Sequence, residues 1–199
     1  AGPLGVATHT DGLKKVCIVG GGVGCAIALP IAQKLKENGC EVTSIIGFRT
    51  KDLLILEDEF NSASEKLYVM TDDGSYGREG NVCVPLNEMF DAGEKFDMVI
   101  TIGPLIMMKF VVEATKKTGI PCTVSMNPIM IDGTGMCGGC RLTLIEDGKR
   151  VTKFACVDGP DFNGYEVDFD EAMARGGMYR EFERHAYEET CNLFAKEGK

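Results

Sequence analysis

The chain has 199 residues, 44% of them hydrophobic and 8% aromatic with no Trp, enough for one buried core and a small appendage. Its 30 acidic and 21 basic residues leave a net charge of −9, and no Lys/Arg run is interleaved with aromatics, so nucleic acid is not an expected partner. The longest apolar runs fall far short of the ~20 residues that span a bilayer, the first residues lack a secretory pattern, and nine cysteines are an odd number for a disulfide framework. The expectation is a cytoplasmic globular protein without a membrane segment, in which some thiols serve a metal or redox role.

In chain order, residues 16–20 form an apolar strand that runs through a glycine turn into an amphipathic helix over 26–39, which Asn38-Gly39 stops. The unit recurs. Residues 41–48 read as a strand, 52–63 as a helix, 66–71 as a strand, 82–90 as a short helix, 96–103 as a strand, 104–119 as a helix and 121–126 as a strand. Almost wholly apolar strands are buried on both faces, which predicts an α/β fold: a five-stranded doubly wound parallel sheet with four helices covering it. From Asn127 the rhythm breaks. Residues 141–145 and 150–156 flank a Glu-Asp-Gly-Lys turn and predict a β-hairpin in a small C-terminal module, followed by terminal helices near Phe169–Arg175 and from Met178. The expected divisions are 1–14 as a linker, 15–126 as a nucleotide domain, 127–166 as a metal module and 167–199 as a helical segment.

Gly20, Gly21, Gly22, Val23 and Gly24 leave the first strand and enter the first helix, so backbone N–H groups and the helix dipole can face a phosphate. The usual dinucleotide fingerprint is incomplete, because Cys25 stands where a third glycine belongs and Gly47-Phe48-Arg49-Thr50 replaces a strand-ending acid. A tight structural turn is the alternative. Thr71, Asp72 and Asp73 follow the third strand and Gly103-Pro104 opens a helix after the fourth, where open α/β sheets bind ligands. Asp72 and Asp73 suit ribose hydroxyls or simply form a turn; Arg49 suits a phosphate or is a solvated charge.

Asp132, Cys137, Cys140 and Cys156 follow the pattern D-x4-C-x2-C with a fourth donor on a return strand. Plant-type [2Fe-2S] sites use C-x4-C-x2-C with a distant cysteine, and here a carboxylate takes the first place. Gly133, Gly135, Gly138 and Gly139 let the backbone wrap a compact cluster. A zinc site with the same four donors, or three unliganded thiols, are the competing readings. Cys17, Cys25, Cys40, Cys83, Cys122 and Cys191 read as small apolar fillers, and His9 and His185 as neither ligands nor bases.

Taken together, GPLG at Gly2, GGGVG at Gly20, GFRTKDLLILEDE at Gly47, TDDGSYG at Thr71, IGPLIMMKF at Ile102, and NPIMIDGTGMCGGC with KFACVDGPDF resemble the ferredoxin-NADP reductase-like electron-transfer subunits. That family includes dihydroorotate dehydrogenase B electron-transfer subunits and sulfide dehydrogenase subunits. The resemblance implies NAD(H) or NADP(H) cradled by Gly20–Gly24 and Gly103-Pro104, with Arg49, Asp72 and Asp73 nearby, and a [2Fe-2S] cluster on Asp132, Cys137, Cys140 and Cys156. It also implies FAD in a preceding β-barrel that this sequence lacks, with Gly2–Gly5 resembling the linker that leaves it. Relatives often carry cysteine where this chain has Ile102. Aspartate as first ligand departs from the dihydroorotate subunits and agrees with the small subunits of NADH-dependent reduced ferredoxin:NADP oxidoreductases. The implied role is electron transfer between nicotinamide, FAD and iron-sulfur centres, with a catalytic flavoprotein subunit or fused reductase domain as partner and ferredoxin as a further one. A non-catalytic nucleotide-binding module with a structural zinc hairpin is the alternative from another class.

Overall fold

The computed structural model describes residue 2 and residues 4–190. Strand and helix alternate as β1 (Lys15–Gly21), α1 (Gly24–Glu37), β2 (Glu41–Phe48), α2 (Glu57–Ala63), β3 (Lys66–Thr71), β4 (Arg78–Glu79), α3 (Cys83–Asp91), β5 (Met98–Ile102), α4 (Leu105–Thr118) and β6 (Cys122–Ser125). The hairpin β7 (Arg141–Glu146) and β8 (Lys149–Phe154), the short β9 (Asp161–Asn163), α5 (Phe169–Gly176) and α6 (Arg180–Thr190) follow. Among the described residues no helix is long and apolar enough to cross a membrane.

The main sheet has the order β4-β3-β2-β1-β5-β6-β9. The five expected strands are its parallel centre, in the order β3-β2-β1-β5-β6. Alternation along β1 explains the two layers. Val16 and Ile18 join the core under α1 and α2, whereas Cys17 and Val19 face the core under α3 and α4. The sheet grows by two strands that periodicity did not show: β4 pairs parallel with β3 over two residues, and β9 pairs antiparallel with β6 over three. Segments that short carry no alternation to read.

The helix expected over 52–63 is divided. A 3-10 turn covers Lys51–Leu53, and α2 starts only at Glu57, because Leu56 adopts a left-handed conformation at φ 62°. Leu54 and Leu56 pack on the core beneath α1 and α2 instead of following a helical stripe. Tertiary burial overrides local propensity here.

In the hairpin, Glu146 pairs with Lys149 across Asp147 (φ 50°) and Gly148 (φ 75°), the two-residue turn that suits right-twisted strands. Leu142 and Leu144 point inward and share one core with Val111, Val124, Val167 and Phe169. Burying each contributes about 1.5–3 kcal/mol. The hairpin is thus anchored on the α3/α4 side of the sheet. Residues 191–199, with Cys191 and the end of the expected helical segment, and Pro3 of the Gly2–Gly5 motif lie outside the described residues.

Candidate functional site

The strand order reverses between β1 and β5, because β2 and β3 lie on one side of β1 and β5 and β6 on the other. Beyond the carboxyl ends of these strands stand Gly20–Gly24 and Gly103-Pro104, at the position where open α/β sheets bind ligands. The helices that leave these two turns begin alike. Neither α1 nor α4 has a side-chain cap or an acidic residue in its first turn, so both positive dipole ends are left for an anion.

The glycines have different reasons. A Cβ on Gly24 would lie 2.5 Å from the Ile102 carbonyl oxygen, and one on Gly103 would lie 2.7 Å from Met107 Cε and 3.1 Å from the Gly21 backbone. A Cβ on Gly20 would meet Cys25 Sγ at 2.8 Å. These positions bring the two turns together. Gly22, at φ 53°, has open space where a side chain would be, and Val23 beside it is 81% exposed. Only that part of the loop faces outward without obstruction. The Gly22 N–H donates to the Gly47 carbonyl at 2.8 Å, which fixes the loop against β2. Met107, from the first turn of α4, lies over Gly21 and Gly103; sequence reasoning passed over it, and its place three residues after Pro104 was the available signal.

Arg49 and the 71–77 turn follow β2 and β3, on the same end of the sheet. The backbone joins them: Asp72 N–H donates to the Phe48 carbonyl at 3.0 Å and Asp73 N–H to the Arg49 carbonyl at 3.4 Å. Arg49, Asp72 and Asp73 are exposed. Asp73 accepts from the Ser75 hydroxyl at 2.6 Å and the Ser75 N–H at 3.0 Å, and these bonds, the hydroxyl foremost, hold its carboxyl below the usual carboxylate range. One of its carboxylate oxygens, Oδ1, is thus engaged within the turn.

In the second group, strand register does the positioning. Arg141 pairs with Phe154 at the open end of the hairpin, so Cys140 and Cys156 leave the ends of β7 and β8 side by side. Ala155 N–H donates to the Cys140 carbonyl at 3.2 Å, and the two buried sulfurs are 3.2 Å apart. The hydrogen bond with the Cys140 thiol pushes the Cys156 thiol up, with desolvation and the neighbouring sulfur's charge adding to it. Asp132 and Cys137 make a second pair. The Asp132 carboxylate accepts the Thr134 N–H at 2.8 Å and the Cys137 N–H at 3.1 Å, and the Thr134 bond is the main cause of a lowered carboxyl pKa. Cys137 is exposed, and its sulfur accepts the Gly139 N–H at 3.4 Å. Gly133, Gly135 and Gly138 have φ of 78°, 82° and 66°, which only glycine adopts without strain.

The remaining described cysteines lie apart from this group. Cys17, Cys25, Cys40 and Cys122 are buried and Cys83 is half-buried; desolvation pushes Cys25 and Cys122 up to about 12. A cavity of about 470 Å³ lies at the opposite ends of β5 and β6, lined by Met98, Cys122, Asp161 and Phe162, and holds none of the candidate residues.

Residues 127–168 match the model of the iron-sulfur cluster binding domain of dihydroorotate dehydrogenase B. A dihydroorotate dehydrogenase B (NAD(+)) electron transfer subunit homolog of Thermotoga maritima is 50% identical over 187 residues, 94% of this chain and 64% of that protein. The electron transfer subunit of Streptococcus pneumoniae serotype 4 is 37% identical over 76% of this chain and 58% of its own length. Among solved structures, the NADH-dependent reduced ferredoxin-NADP oxidoreductase, described for flavin-based electron bifurcation, superposes with a TM-score of 0.83 at 48% identity, covering 94% of this chain and 66% of that one. The chain therefore spans somewhat under two thirds of the length of these three proteins. The chain thus shares its fold with the NADH-dependent reduced ferredoxin-NADP oxidoreductase and is similar, over 94% of its length, to a dihydroorotate dehydrogenase B electron-transfer subunit homolog.

Proposed function

We propose that the chain is the nucleotide-binding and [2Fe-2S]-carrying portion of a flavin-dependent oxidoreductase of the ferredoxin:NAD(P) reductase type, in which electrons pass between nicotinamide, FAD and iron-sulfur centres. The pairing of the four donors supports it best. The Asp132 carboxylate accepts the Cys137 backbone N–H and is hydrogen-bonded by its side chain, the Cys140 and Cys156 sulfurs lie 3.2 Å apart, and among the described residues no three His, Cys, Asp or Glu side chains gather as a site for one ion. A tetrahedral zinc ion gathers four donors about one centre, whereas a two-iron cluster takes two per iron. The donor set fits the cluster: Asp132 and Cys137 would hold one iron, Cys140 and Cys156 the other.

When bound, the cluster supplies a one-electron store and the nicotinamide a hydride. The protein's part is placement. Gly22 and the uncapped starts of α1 and α4 would receive a pyrophosphate, Arg49 a further phosphate, and Asp72 a ribose. The glycine-rich loop, including the Gly139 N–H on Cys137, tunes the sulfurs by hydrogen bonding. FAD would be held outside this sequence, and a catalytic flavoprotein subunit or fused reductase domain would be the partner, with ferredoxin as a further one. Asp132 favours the bifurcating reductases over pyrimidine synthesis.

Metal and sulfide analysis of anaerobically purified chain tests this. Brown protein with about two iron and two acid-labile sulfides per chain is the expected result. Colourless protein with stoichiometric zinc would sink the cluster and support the structural zinc hairpin.

A further inference from the structure

Residues 4–8 run across the module instead of standing clear of it. Val6 N–H donates to the Gly159 carbonyl at 2.6 Å, and the Thr8 hydroxyl donates to Asp161 at the start of β9. Gly5 lies against the Gly159 carbonyl at φ 73°, so closely that any side chain would strike it. This fastening sets Leu4 on the far side of the loop. A Cβ added to Gly133 would lie 2.6 Å from Leu4 Cδ1, with Met130 Sδ next nearest at 3.8 Å, so Leu4 covers the residue adjoining Asp132.

We propose that Leu4 is a positioning residue for the Asp132 side of the cluster, held there by Gly5 and Val6. The inference rests on the [2Fe-2S] reading given above. Asp132 is exposed, but Gly133 beside it is buried, and Leu4 packs against it where the loop turns through glycines. A leucine clamped onto Gly133 keeps water from that backbone and limits its movement beside the hydrogen bonds that hold the Asp132 carboxylate. Solvent exposure is one of the terms that set the potential of such a cluster. Removing this apolar cover would admit water to the Gly133 backbone beside the ligand, and water nearer the cluster would favour its more negative, reduced form.

The test uses the full 199-residue chain with its cluster reconstituted anaerobically. Leu4→Ala is compared with wild type, with the conservative Leu4→Met, and with Val6→Ala, whose backbone bond to Gly159 survives. The midpoint potential is read by redox titration followed by electron paramagnetic resonance, and iron loss by a chelator. The expected result for Leu4→Ala is an upward shift in potential, altered g-values and several-fold faster iron loss, with Leu4→Met near wild type and Val6→Ala unchanged. A Leu4→Ala chain with wild-type potential, spectrum and iron loss overturns the role of Leu4 and leaves the cluster standing. Wild-type chain that takes up no iron overturns the cluster reading, and this inference with it.

Discussion

At the residue scale, Asp132 is the position that separates this chain from an all-cysteine site. Asp132→Ala removes a donor from one pair and leaves the buried Cys140–Cys156 pair intact. Metal analysis should find a marked loss of bound iron, whereas Asp132→Cys keeps iron with a changed potential. Full iron content and unchanged redox behaviour in Asp132→Ala would reject ligation. Thiol reactivity offers a second check. The thiolate is the reactive form, and burial holds Cys25 and Cys122 near 12, so neither should react with iodoacetamide at pH 8 in folded protein. Exposed Cys137 should be alkylated first in cluster-free chain and protected once the cluster is loaded. Equal labelling by mass spectrometry in both forms would count against Cys137 as a ligand. At this scale the sequence was most legible for chemistry. Spacing brought Asp132, Cys137, Cys140 and Cys156 together as candidates, because short loops keep sequence neighbours close. It did not separate Asp72 from Asp73, since the Ser75 bonds that engage Asp73 Oδ1 depend on how the turn closes. Nor did it show that Gly24 and Gly103 serve protein packing more than ligand approach.

At the element scale, Gly24→Ala tests that packing. Its Cβ meets the Ile102 carbonyl, a backbone atom with little room to move, so the substitution should cost about 1–3 kcal/mol in urea denaturation. A variant as stable as wild type would show that the α1 start yields easily. The start of β1 carries a pH dependence. Asp97 accepts the Lys14 N–H at 2.7 Å and the Lys15 N–H at 2.9 Å, and these bonds, that of Lys15 first, lower its carboxyl from the ordinary value of 3.8. A lowered folded pKa stabilises the protein above the unfolded value, and this contribution is lost as pH falls through the folded one. The stability gap between wild type and Asp97→Asn should stay level from neutral pH to about pH 5 and close below about pH 4. A gap that widened in acid would contradict the assignment. The five central strands were legible because each is buried on both faces and reads as an apolar run. The break between Lys51–Leu53 and α2 was not, because Leu56 leaves the helical region to reach a core assembled from distant strands.

At the scale of the whole molecule, the hairpin and the α3/α4 side of the sheet share one apolar core, although sequence rhythm divides them at Asn127. Leu144→Ala should therefore lower the stability of the entire described fold by about 2–5 kcal/mol, with a single transition by fluorescence and by cluster absorbance. Two separate transitions would show that the module unfolds alone. The sequence hid this continuity because β9 is three residues long and the contacts joining hairpin to sheet are long-range. Function at this scale depends on what completes the electron path. Dithionite should reduce the cluster of the isolated chain and NADH alone should not, since no flavin site is assigned to these residues.

The proposed two-iron cluster has Asp132 and Cys137 on one iron and Cys140 and Cys156 on the other. Mössbauer spectroscopy of chain reconstituted with 57Fe distinguishes the two irons. Two ferric quadrupole doublets of equal area are expected in the oxidised protein, one shifted by an oxygen donor, and they converge in Asp132→Cys. Wild-type spectra identical to those of Asp132→Cys, with both irons alike, would contradict this arrangement.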